Sequence, residues 1–104
     1  MQMVLQMIIT RKNRGVTMHD DENYRFIVGN QYIELTVKEN KILKILIENK
    51  NRVVTFEQLC MALYNDPLDI YYRSNIALLI RRLRKKLGQN VHIKNKFGIG
   101  YTIP

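Results

Sequence analysis

The chain has 104 residues, enough for one domain with a modest core. With 46% hydrophobic and 25% charged residues it has the make-up of an ordinary globular domain, which excludes a disordered tail. The net charge is +8, yet all nine acidic residues lie before position 70, where nine of the 17 basic residues balance them, so the last third carries the whole excess.

A solubilising charge is normally mixed in sign and spread out, whereas a single-sign block favours a polyanion partner. A solvated basic face with no partner is the plain alternative. No apolar run approaches the ~18 residues of a membrane span. Met3 to Ile9 lacks the basic start and small-residue cleavage site of a signal peptide. The single cysteine, Cys60, excludes an internal disulfide and fits a reducing cytoplasm.

The first 35 residues favour strands. Val4 to Thr10 is rich in Val and Ile, although Met1 to Ile9 also fits an amphipathic helix. Gly15 breaks the chain before Val16-Thr17-Met18-His19, and Asp20 to Asn23 supplies a turn. Tyr24 to Val28 and Gln31 to Leu35 flank Gly29-Asn30, a hairpin signal. These segments predict an antiparallel sheet of about four strands.

The period then becomes helical. Thr36-Val37-Lys38-Glu39 is a capping box, followed by Ile42, Leu43, Ile45, Leu46 and Asn49 at helical spacing, with Lys38, Lys41, Lys44 and Glu48 outside. Thr55-Phe56-Glu57-Gln58 opens a second helix burying Phe56, Leu59, Cys60 and Leu63, with Val54 stapled onto Leu59. Cys60 has no nearby His or Cys and reads as a buried structural residue rather than a reactive thiol. Asn65-Asp66-Pro67 ends that helix and begins a loop running to about Tyr72. A third helix is expected from Ser74 to Leu87, with Gly88 as its stop. Val91-His92-Ile93 and Gly100 to Ile103 follow as short strands joined by Lys94 to Ile99.

On the third helix, Ile76, Ile80, Leu83 and Leu87 form a core stripe with Leu79 at its border. The opposite face collects Ser74, Asn75, Leu78, Arg81, Arg82 and Lys85, with Arg84 and Lys86 at the flanks. A helix fits the major groove of B-DNA, where Arg donates two hydrogen bonds to guanine and an apolar side chain meets a thymine methyl. Arg81, Arg82 and Leu78 are therefore candidate base readers, and Arg84, Lys85 and Lys86 candidate phosphate grips. Leu78 reads equally well as an incidental exposed apolar residue. Lys94 and Lys96 on a glycine-bearing hairpin are a candidate second contact, to a phosphate or the minor groove.

These residues resemble the OmpR/PhoB-type winged-helix effector domain of bacterial response regulators. Three segments carry the resemblance. They are Leu35 to Glu39 with Ile42 to Leu46, Val53 to Leu59, and Ile80 to Leu87 followed by Gly98-Ile99-Gly100-Tyr101. It covers about Val16 to Ile103 and implies an α+β winged helix-turn-helix. Over residues 1–104 that means an N-terminal four-stranded antiparallel sheet (1–35), a three-helix core (36–88) and a C-terminal β-hairpin wing (89–104). It implies DNA contacts at Arg81, Arg82 and Arg84, a backbone contact at Asn95, and Tyr64 in place of a phosphate-contacting Trp. It further implies that the 65–72 loop corresponds to one touching RNA polymerase in some activators, and that dimers form on direct repeats. Phe97 stands where the family has a wing arginine, Ala77 replaces an acidic residue, and Ser74 an arginine, with Arg73 adjacent. Nothing before Val16 has room for a receiver domain, which leaves an excised effector domain and a stand-alone regulator both open.

The expected function is sequence-specific binding of double-stranded DNA in cytoplasmic transcription regulation. A winged-helix module binding an acidic protein partner is the alternative from another class, and RNA binding a weaker third, since single-strand readers present stacked aromatics on a sheet. An enzyme is not expected. His19 and His92 stand apart, and the sequence has no metal-ligand spacing and implies no cofactor.

Overall fold

The computed structural model describes residues 5–8, 17–66 and 70–104. The expected break at Gly15, the start of a strand at Val16 and the Pro67 portion of the loop lie outside the described residues. The architecture is an α+β winged helix-turn-helix: an N-terminal sheet, three helices, and a small sheet at the C-terminal end.

The N-terminal sheet has strands β1 (Leu5–Ile8), β2 (Thr17–Asp20), β3 (Arg25–Val28) and β4 (Gln31–Glu34), ordered β1-β2-β3-β4 and antiparallel throughout. Residues 5–8 are thus strand and not the amphipathic helix that the sequence also fits. The hairpin at Gly29-Asn30 is present, with Gly29 at φ 57°, a conformation an L side chain resists. Tyr24 belongs to the preceding turn, not to β3: its φ is 52°, and its carbonyl accepts from the Leu35 N–H at 2.8 Å. Asp20, expected in that turn, is the last residue of β2 and is fully buried.

Helix α1 (Val37–Glu48) begins at the expected capping box: Thr36 Oγ1 accepts from the Glu39 N–H at 3.2 Å, and Glu39 Oε1 from the Thr36 N–H at 2.8 Å. Helix α2 (Phe56–Tyr64) repeats this between Thr55 and Gln58 and ends on Asn65, whose φ of 56° makes a left-handed cap. Helix α3 (Ile70–Leu87) starts four residues before the expected Ser74. Nothing between Ile70 and Leu87 is Pro or Gly, so no residue there breaks the helix. The loop after α2 is shortened accordingly.

Val54–Thr55 forms a two-residue strand, β5, where the sequence suggests only a hydrophobic staple. It pairs with β7 (Gly100–Thr102), which also pairs with β6 (Lys94–Lys96), giving the order β5-β7-β6. The expected strand at Val91 to Ile93 is displaced to β6. Val91 and Ile93 are both buried in the core, and a turn of only 97–99 joins β6 to β7. A Cβ on Gly100 would lie 1.9 Å from the Val54 carbonyl oxygen, so only glycine lets these two strands approach.

Ile42, Leu43 and Leu46 of α1, Leu59 and Cys60 of α2, and Ile76, Ile80, Leu83 and Leu87 of α3 are all buried, with Phe26 reaching in from the sheet. Leu79, expected at the border of the α3 stripe, is buried with them. Fully burying each such side chain contributes ~1.5–3 kcal/mol, so this stripe dictates which face of α3 remains in water.

Candidate nucleic-acid interface

Because the core takes Ile76, Leu79, Ile80, Leu83 and Leu87, the side chains between them are forced outward. Ser74, Asn75, Leu78, Arg81, Arg82 and Lys85 are exposed along the outer face of α3, a helix of 18 residues. Among the described residues, the side chains of Arg81, Arg82 and Lys85 make no ion pair or hydrogen bond, leaving three cations directed at solvent. Leu78 sits among them at 43% exposure. A shallow groove lined by Thr36, Glu39, Leu79, Arg82, Lys85 and Lys86 brings the start of α1 beside this face.

The two flanking cations are differently employed. Arg84 donates from Nε and Nη2 to the Ile93 carbonyl at 3.0 and 2.7 Å, and from Nη2 to Asn95 Oδ1. Its guanidinium also lies 5.9 Å from the Tyr101 ring centroid. Arg84 therefore ties α3 to both strands of the C-terminal hairpin and occupies the side-chain oxygen of Asn95. Lys86 donates from Nζ to Glu39 Oε1 at 2.6 Å and to the Glu34 carbonyl at 3.1 Å. Burial alone would push the Glu39 carboxyl up. The bonds from Lys86 and Thr36 outweigh it and hold the group below its ordinary range.

Arg73 is half-committed: its guanidinium stacks 4.7 Å from the Phe56 ring centroid and lies 3.7 Å from Glu57. Tyr64 is half-buried, with the Lys38 ammonium 5.0 Å from its ring centroid. Lys94 and Lys96 are exposed on β6, and Phe97 at the hairpin tip is 90% exposed. The hairpin and the outer face of α3 are thus brought together by Arg84, whereas Arg73 and Tyr64 sit at the contact with α1 and α2.

Sequence reasoning, which puts Asp20 in a turn and Glu39 in a capping box, misses that both are buried polar anchors. Asp20 and Glu39 are both buried, Asp20 receiving hydrogen bonds from Asn23 Nδ2 at 2.9 Å and Arg25 Nε at 3.2 Å. His19 is an interior residue as well: Nε2 lies 2.6 Å from Asn40 Oδ1 on α1, and burial pulls its pKa down. The capping box is the one local signal for Glu39. Among the described residues no group of three His, Cys, Asp or Glu side chains is arranged to hold a metal ion, and no helix is long and apolar enough to cross a membrane.

Residues 29–103 match the family model described as "Transcriptional regulatory protein, C terminal". Among curated proteins, the chain is 29% identical over 104 residues to the regulatory protein VanR of Enterococcus faecium, covering 91% of this chain and 45% of that one. It is 40% identical over 72 residues to the sensory transduction protein BceR of Bacillus subtilis, covering 66% and 31%. The chain therefore spans less than half the length of these relatives. Among solved structures, it is similar to the DNA-binding domain of CpxR from E. coli, with TM-score 0.76, 22% identity and coverage of 94% and 95%. It is also similar to the RstA DNA-binding domain of Klebsiella pneumoniae, solved in complex with the RstA box, with TM-score 0.74, 24% identity and coverage of 94% and 96%. Both likenesses concern the fold.

Proposed function

Because this chain belongs to the family of C-terminal domains of transcriptional regulatory proteins, the OmpR/PhoB-type winged-helix effector domains, we propose that its α3 reads the major groove of double-stranded DNA. The function is sequence-specific DNA binding in transcription regulation, and the domain is not an enzyme. One observation carries the assignment to α3: Arg81, Arg82 and Lys85 project from one face with their charges unspent among the described residues. A cation already paired to a carboxylate has little left to offer a phosphate, whereas an unpaired, exposed one releases DNA counterions on contact.

Arg81 and Arg82 are the proposed base readers, with Leu78 meeting a thymine methyl and Ser74 and Asn75 about one turn into the helix. Lys85, Lys94 and Lys96 hold phosphates, and Arg73 and Tyr64 mark the edge of the footprint. Arg84, Asn95 and Lys86 act differently: their side chains set the distance between α3, the wing and α1, so they position the reading surface before they touch DNA. Residues 1–104 work as one unit, with the sheet (1–35) and wing (89–104) flanking the core (36–88). A cytoplasmic site of action, dimers on direct repeats and an RNA polymerase contact through residues 65–72 complete the proposal.

The test compares Arg82→Ala with Lys96→Ala on a duplex selected from a random pool by the wild-type chain, and on an unrelated duplex. Arg82→Ala is expected to cost ~1–3 kcal/mol on the selected duplex and to narrow the gap between the two, while Lys96→Ala weakens both alike. Equal, unchanged affinities for both variants would overturn the assignment.

A further inference from the structure

Phe97 occupies the most exposed position of any large hydrophobic residue described, at 90%, with Ile99 beside it at 53%. Among the described residues nothing covers the ring. The segment that carries it is nonetheless held firmly. The Ile99 N–H closes the turn onto the Lys96 carbonyl at 2.9 Å, and Gly98 takes φ 75° so that the chain reverses at once. The Ile99 carbonyl accepts from the Phe56 N–H at 3.0 Å, anchoring the returning strand to the start of α2. Arg84 pins the outgoing strand through Ile93 and Asn95. Lys94 and Lys96 stand exposed on that strand, and the last third of the chain has no acidic residue to offset them.

We infer that Phe97 is an apolar wedge for DNA: it enters the minor groove beside the α3 site and unstacks one base step, while Lys94 and Lys96 grip the flanking phosphates. The inference rests on DNA binding by α3. Four physical points support it. A groove about 6 Å wide admits a single side chain from a hairpin tip but not a helix, and it borders the major groove that α3 occupies. The charges around the ring are complementary to phosphate and repel another basic surface, such as a second copy of this hairpin. An aromatic ring finds a stacking partner in an opened base step whatever the base, and Phe is among the side chains that kink duplexes in this way. Finally, the ring arrives on a braced support, so little ordering of the tip is required on binding.

The wedge makes a distinct prediction from groove reading by α3, because it changes the DNA and not merely the affinity. The probe is the duplex selected by the wild-type chain, carrying 2-aminopurine at successive positions flanking the selected core, with a donor–acceptor dye pair at its ends. Wild-type protein should raise 2-aminopurine fluorescence at one step and shorten the end-to-end distance. Phe97→Ala, whose side chain is in water and whose melting temperature should be unchanged, should abolish both signals and weaken binding by roughly 3- to 30-fold, since the stacking gain is partly offset by the unstacking cost. Phe97→Leu, still an apolar wedge, should restore most of the bend.

If the wild-type chain binds but leaves the 2-aminopurine signal and the end-to-end distance unchanged, the wedge is wrong while DNA reading stands. The wedge is equally wrong if Phe97→Ala retains the full bend, or if Phe97→Ala changes only the sedimentation of the free protein, which would assign the tip to a contact between copies. No binding of any duplex by the wild-type chain overturns both the wedge and the function it rests on.

Discussion

Replacing Lys86 by Met should damage the fold more than it damages contact with DNA. The Lys86 ammonium lies 2.6 Å from Glu39 Oε1, and the Glu39 side chain is only 2% exposed. Met keeps the alkyl stem, so the change isolates the charge. Removing one partner of a buried ion pair costs ~3–5 kcal/mol, because the other charge is left without compensation. Lys86 is 36% exposed, so water screens the pair, and the Thr36 N–H still bonds the carboxylate. Those two facts lower the expected cost to about 2 kcal/mol. For a chain of this size that is a fall in Tm of roughly 10 °C. The pH dependence follows from the depressed Glu39 value. The pair's contribution is complete above the ordinary carboxylate value of 4.5 and is lost as pH falls through the lower folded value, so the gap between wild type and variant should close in acid. Adding Glu39→Gln should recover most of the loss, since Gln also completes a capping box and removes the stranded charge. Circular dichroism melts at pH 7 and pH 3 measure all of this. A Lys86→Met variant with unchanged Tm at pH 7, but DNA binding weakened several-fold, would refute the structural role and return Lys86 to the phosphate backbone.

Arg84→Lys should release the wing: an ammonium lacks the planar fork with which Nε and Nη2 both bond the Ile93 carbonyl while Nη2 reaches Asn95, so amides of 94–96 and 100–102 should exchange faster at a stability cost of about 1–2 kcal/mol. Unaltered exchange there would show that the hairpin is held without it. His19 gives a second pH effect. Burial lowers its pKa below 6.5, so the folded state binds fewer protons than the unfolded chain, and stability present above pH 6.5 declines as pH falls below it. The urea midpoint should drop between pH 7.5 and 5.5 in wild type and drop less in His19→Gln, whose amide is also able to bond Asn40. Equal drops in the two proteins would show that His19 does not set the acid sensitivity.

What can be read without coordinates is what is encoded locally. Both capping boxes, the Gly29-Asn30 hairpin and the α3 core stripe depend on residues within a few positions of one another, and all stand where the sequence puts them. The misplacements occur where strand pairing and burial, not residue type, decide. Val91 and Ile93 have strand chemistry, but the three residues of β7 pair with Lys94–Lys96, leaving the apolar pair to fill the core. Asp20 looks like a turn residue until Arg25 and Asn23 bond it in place. Among the site residues, charge pattern alone cannot separate Arg82 from Lys86, since both are cations on one helix. Lys86 differs because Glu39, 47 positions away, is folded beneath it. The basic face is legible in the sequence, but the division between cations that brace it and cations available to a ligand is not.

The most direct test of DNA reading by α3 is the salt dependence of affinity for the selected duplex, measured by fluorescence anisotropy. If the free cations of α3 and β6 neutralise ~4 phosphates, the log–log slope should be about −3.6, and affinity should fall roughly 100-fold between 50 and 200 mM salt. A slope near zero, or no measurable binding at 50 mM salt, would contradict an interface built from these cations.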